Sequence, residues 1–136
     1  MLLNNPLTET TVQNPRLDYP SMGITELLSE VRLDASKGNE LLASKILSAM
    51  DNINRQLSGK HYLIAPLDED KTRFYKRAVA NEAAALIAEE NKDFDTSSTG
   101  QIRGENELNK VASLRRNVNY AIADLTNRKR NRVKLL

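Results

Sequence analysis

Leu42, Ile46, Met50, Ile53 and Leu57 recur every three or four residues, and only an α-helix, at 3.6 residues per turn, gathers that spacing onto one face. Lys45, Asp51 and Arg55 lie off the stripe, so this helix has a wet side and a side that another element must cover. The sequence supplies such elements. Ile24, Leu27, Leu28 and Val31 fall at i, i+3, i+4 and i+7 and predict a short helix with too few turns to stand without a neighbour. Phe74, Tyr75, Ala78, Val79, Ala83, Ala85 and Leu86 cover nearly half the circumference of a third helix, whose alanines permit close interhelical approach. A fourth runs from about residue 105 to residue 127 and gathers Leu108, Val111, Leu114, Val118, Ala121, Ile122 and Leu125 on one broad face. Aromatics make up only 4% of the chain, so the core has to be built from Leu, Ile, Val and Ala. The expectation is an all-α fold, a small four-helix domain with extended arms at both ends.

The breaks between helices are marked by residues with their own local preferences. Ser36 or Asn39 suits the N-cap of the second helix, and Ser58-Gly59 a C-terminal stop. Residues 60–67 hold the short apolar run His61-Tyr62-Leu63-Ile64, which ends at Pro66 and is expected to pack under a turn. The third helix opens at Asp68-Glu69-Asp70, where carboxylates meet the positive end of the helix dipole. Consecutive acids in that place read as solvated capping residues rather than as catalytic groups. Residues 92–104 are polar, contain two glycines and show no period, and are expected as a long loop. Residues 1–20 carry Pro6, Pro15 and Pro20 among Asn, Thr and Gln. The resulting division is a flexible N-terminal arm over 1–20, a helical domain over 21–127 and a basic C-terminal arm over 128–136. At 136 residues, one compact core is expected, removing roughly two-thirds of the unfolded chain's surface from water.

A search for chemistry along the chain finds none complete. Asp93, Asp95 and Ser97 have the opening rhythm of a calcium loop, but the sixth and twelfth positions hold Ser98 and Gly104 where a glycine and a bidentate acid are required. His61 is the single histidine and there is no cysteine, which leaves no zinc ligand set. The absence of cysteine also excludes disulfides and fits a reducing compartment. Gly100 and Gly104 are not followed by a lysine in phosphate-loop register, and no nucleophile elbow occurs. No catalytic residue, metal site or cofactor is therefore expected. No run approaches the roughly eighteen apolar residues of a membrane span, and no basic start precedes an apolar block at the N-terminus.

Two charge features stand out instead. Glu82 projects near the middle of the third helix's apolar arc and Arg115 inside that of the fourth. Buried charges need partners, so a bridge between them is one reading. Side chains that reach solvent along a helix edge, or face another subunit, are the other. The second feature is the tail: Arg128, Lys129, Arg130, Arg132 and Lys134 interleave with an apolar tip of Val133, Leu135 and Leu136. It suits an arm whose tip docks in a protein groove. Phosphate neutralisation is the alternative, although base-stacking aromatics are missing from it, and helix-dipole complementation alone accounts for Arg128 and Lys129. A formal net charge of +2 is too small to imply nucleic acid by itself.

The order and spacing of several strings resemble the phage head-completion family of the gpL type, over roughly residues 17–127. They are Ser48-Ala-Met50-Asp-Asn-Ile-Asn54, Phe74-Tyr75-Lys76-Arg77-Ala78-Val79, Leu114-Arg-Arg116 and Ala121-Ile122-Ala123. The resemblance implies a non-enzymatic virion protein, a helical head-to-tail adaptor that forms a ring of about twelve copies beneath the portal. It implies binding after DNA packaging, retention of the genome in the filled capsid, and an attachment site for the tail. The implied partners are further copies of the chain, the portal, a tail-side neck or tail-completion protein and the packaged DNA, with no membrane. The implied place is the virion neck, reached by assembly in the host cytoplasm. In related adaptors a C-terminal arm embraces the portal; here residues 127–136 are placed to do so. The Ala-rich faces further suggest more apolar helix surface than one small core needs, with the surplus meeting neighbouring copies.

Overall fold

In the computed structural model of the chain, residues 10–33, 38–58, 67–93 and 98–126 are described, with 91–93 and 98–108 described by backbone alone. The order of elements is β1 (Thr11–Val12), β2 (Met22–Gly23), α1 (Ile24–Glu30), α2 (Asn39–Leu57), α3 (Glu69–Asp93) and α4 (Ser98–Leu125). It is an all-α fold with one two-stranded ribbon.

The stripe on α2 is the most regular part of the core. Leu42, Ile46, Met50, Ile53 and Leu57 are all buried, and Ala49 joins them. The entry to α2 differs from the capping expected at Ser36 or Asn39. Asn39 is already the first helical residue, Ser36 lies outside the described residues, and the cap position is Gly38 at φ 87°. That angle lies in the left-handed region, where a side chain would be strained and glycine is not. At the other end Ser58 ends the helix in extended conformation.

The central element is α3. From Ala78 to Ala88 its residues are buried almost all round, Leu86 being partly exposed. A helix buried on every side must have neighbours on every side, and cross-helix pairs show where they run. Lys45 of α2 pairs with Glu90, Asn52 with Glu82, and Asn54 with Tyr75. On the other flank Glu89 meets Arg115, Asn81 meets Asn117, and Lys71 meets the Leu125 carbonyl. Both sets count down one helix while counting up the other, so α2 and α4 are each antiparallel to α3. Alanine at the contacts lets the axes approach closely. Val118, Ala121, Ile122 and Leu125 are the buried part of α4, with Leu114 packed against them at lower burial.

Three boundaries depart from the sequence reading. Asp68 serves as the capping residue that the acidic run suggested, its Oδ1 accepting the Lys71 N–H at 2.8 Å, but the helix itself opens one residue later, at Glu69. The loop expected over 92–104 is mostly helix, because α3 continues to Asp93 and α4 begins at Ser98, leaving 94–97 outside the described residues. Polarity distinguishes wet residues from buried ones but not helix from loop, and a helix nucleated on its packed turns extends one hydrogen bond at a time through polar sequence. Third, residues 10–20 are part of the fold, although they fall in the stretch expected as an arm. β1 pairs antiparallel with β2, with Thr11 opposite Gly23 and Val12 opposite Met22. Asn14 and Tyr19 are buried.

Within the described residues, most of the apolar surface on the helices is used inside the chain. Among the described residues, the large apolar side chains left exposed are Leu17 and Leu47. The Ala-rich face of α3 is covered by α2 and α4 of the same copy.

Candidate functional site

Three polar assemblies lie on this scaffold, and each ties α3 to one or more neighbouring segments. The first is centred on Glu82, which is 3% exposed. Asn52 of α2 donates to its Oε2 at 2.9 Å, and Arg115 of α4 brings Nε to 3.0 Å from Oε1. The Nε approach has the distance of an ion pair without the alignment of a hydrogen bond. Arg115 extends outward, and its Nη2 donates to Glu89 at 2.9 Å. One buried carboxylate therefore joins three helices, and its charge is matched rather than left in an apolar medium. Glu82 and Arg115 stand within a single copy, the first of the two arrangements considered from sequence. Asn52 had no sequence signal, since it lies beside the α2 stripe like any polar residue.

The second assembly surrounds Tyr75. Its hydroxyl donates to Asn54 Oδ1 at 2.6 Å and accepts from Asn14 Nδ2 at 2.7 Å. Asn14 also donates to the Pro20 carbonyl at 3.0 Å and accepts the Arg16 N–H at 3.0 Å. Asn54 Nδ2 completes the ring of bonds on Asn14 Oδ1 at 3.0 Å. Tyr19 packs on Tyr75 with ring centroids 5.1 Å apart, a favourable tilted aromatic contact. Burial pushes the Tyr75 phenol well above its ordinary pKa, and the Asn14 bond only partly opposes this. These bonds hold residues 14–20 against the bundle.

The third is a cleft of about 330 Å³ between α1 and α3, with Met22 among its lining residues. Its walls carry Glu26 and Glu30 on α1 and Glu69, Arg73, Lys76 and Arg77 on α3. Lys76 Nζ lies 2.5 Å from Glu26, and Arg77 Nε lies 3.1 Å from Glu30. Burial disfavours charge on Glu26, but the Gly23 N–H and the Lys76 ammonium outweigh it and hold that carboxyl below its ordinary range. Arg73 turns instead to Asp70 at 3.1 Å.

No group of three or more His, Asp or Glu suited to a metal ion occurs among the described residues, and no described helix is long and apolar enough to cross a membrane. His61 and the tail residues Arg128, Lys129, Arg130, Arg132, Val133, Lys134, Leu135 and Leu136 lie outside the described residues. The assemblies are thus pins and a surface cleft.

Comparison with known families decides the class. The model described as phage head completion protein (GPL) matches residues 68–136, just over half of the chain. The chain belongs to the phage head completion protein (GPL) family. The matched stretch takes in Asp68, all of α3 and α4, and the basic tail, while β1, β2, α1 and α2 lie before it. Membership in the phage head completion family carries a structural role in head assembly, within the virion and in contact with other virion proteins. No match was found among curated proteins or among solved structures.

Proposed function

We propose that this head completion protein is a head-to-tail adaptor that binds the portal once DNA is packaged, stabilises the filled capsid and offers the tail its attachment site. The observation that supports this is the extent of the family match, which continues past α4 through residue 136. The segment proposed to grip the portal therefore lies inside the family pattern. Arg128, Lys129, Arg130, Arg132 and Lys134 supply charge for an acidic rim, and Val133, Leu135 and Leu136 an apolar tip. The copies form a ring of about twelve around the portal axis, at the neck, with a tail-side protein on the opposite face. The buried assemblies suit that work, because a part that holds pressure needs stiff helices more than a cleft for chemistry.

Electron microscopy of the purified chain mixed with the portal of its phage tests the reading. A ring of added density on the portal is expected, lost in a variant that ends at Thr126 but keeps its helical circular dichroism. A chain that stays monomeric beside the portal and shows no affinity for it would sink the proposal.

A second reading is favoured by the five cations of the tail, which are equipped to neutralise phosphates. Binding of DNA by all five predicts a log–log salt slope of about −4 to −5. DNA affinity that survives deletion of residues 128–136 removes that reading.

A further inference from the structure

The chain continues for ten residues beyond Thr126, and the structure fixes where they start. Lys71 Nζ donates to the Leu125 carbonyl at 3.2 Å, so α4 ends against the first turn of α3. Glu69 and Thr72 of that same turn are among the residues lining the α1–α3 cleft. We propose that this cleft is the docking site for residues 127–136 of the same copy, the cations crossing the acidic start of α3 and the tip entering between α1 and α3.

Reach, charge and tethering each support this occupant. Crossing α3 takes about one helix diameter, 10 Å, and the wall from Glu69 to Arg77 rises about 12 Å. Ten extended residues span about 33 Å, which exceeds both together. Within the cleft Lys76 is matched by Glu26 and Arg77 by Glu30, and Arg73 is matched by Asp70. The charge left over in the lining is the Glu69 carboxylate, which has no partner among the described residues. Glu30 is also 38% exposed, and Arg77 takes its Oε1, which leaves the second oxygen to meet another cation. The tail brings five cations and no acid. A tether this short presents its tip at about millimolar effective concentration, far above that of a second copy in dilute solution. A docked tail is withheld from other proteins until they compete for it, whatever those proteins are.

The chain contains no cysteine, so pairs can be introduced into the full-length protein without background. Ser29 lines the cleft, and its hydroxyl donates to the Glu26 carbonyl of its own helix; Ser48 is exposed on α2. With Ser29→Cys plus Leu135→Cys, mild oxidation is expected to give an intramolecular disulfide about tenfold faster than Ser48→Cys plus Leu135→Cys, because docking raises the local concentration of the tip. Adding Glu69→Lys to the first pair, or raising the salt, is expected to slow it severalfold. Equal rates for the two pairs would overturn the proposal. So would disulfide-linked dimers as the main product of the first pair, since the tail would then occupy a neighbour's cleft.

Discussion

Glu82 shows how much one residue can decide. Its position on the wheel identified a charge inside an apolar arc, and Arg115 stands 3.0 Å away. What the wheel did not contain is Asn52, which takes the second carboxylate oxygen, or the outward arm of Arg115 on Glu89. Removing the cation alone leaves a buried carboxylate with one neutral donor. We expect Arg115→Met to destabilise the fold by about 1–3 kcal/mol in chemical denaturation, below the full cost of breaking a buried pair because Arg115 is partly exposed. The double variant Glu82→Met with Arg115→Met should lose less than the single one. A single variant as stable as the parent would show that the pair does not hold α3 to α4.

At the scale of elements, the N-terminal strap over residues 10–20 owes its place to side chains rather than to its ribbon. Two residues per strand form too small a ladder to persist alone, whereas Asn14 bonds Tyr75, Pro20 and Arg16 in one buried cluster. Tyr75→Phe keeps the ring and removes the hydroxyl, leaving Asn14 and Asn54 short of a partner at a cost of about 1–3 kcal/mol. The pH dependence has a definite sign. The folded phenol has a raised pKa, so above about pH 10 the unfolded chain releases this proton while the folded one keeps it. Stability from Tyr75 is present below that pH and is lost as pH rises. The gap between parent and Tyr75→Phe should therefore narrow toward alkaline pH in urea titrations, and a constant gap would contradict the burial of the hydroxyl.

At the scale of the whole molecule, the described core closes on itself. Ala78, Ala80, Ala83 and Ala84 are buried in one cluster with residues of α2 and α4 of the same copy, and the large apolar side chains exposed among the described residues are Leu17 and Leu47. Among the described residues, the core is complete without a sibling. The melting temperature should therefore shift by less than about 1 °C over a twentyfold change in concentration, since only association coupled to folding makes it concentration-dependent. A marked rise with concentration would show that copies complete each other's core.

Periodicity alone determined that four helices exist and which large apolar residues of α2 are buried, because a 3.6-residue period has one geometric solution and Leu, Ile and Met leave water wherever they can. It also singled out Glu82 and Arg115, since a charge inside an apolar arc is visible on one helix at a time. Only the tertiary structure decided that α3 is the central helix, that residues 10–20 are held, and that 98–104 are helical. The first two outcomes depend on partners distant in the chain: Asn14 meets Tyr75 across sixty-one residues, and alanine looks the same in sequence whether one neighbour covers it or two; the third is a helix extending from its packed turns through polar sequence. Periodicity reports the face a helix must hide, and contact between distant segments determines what hides it.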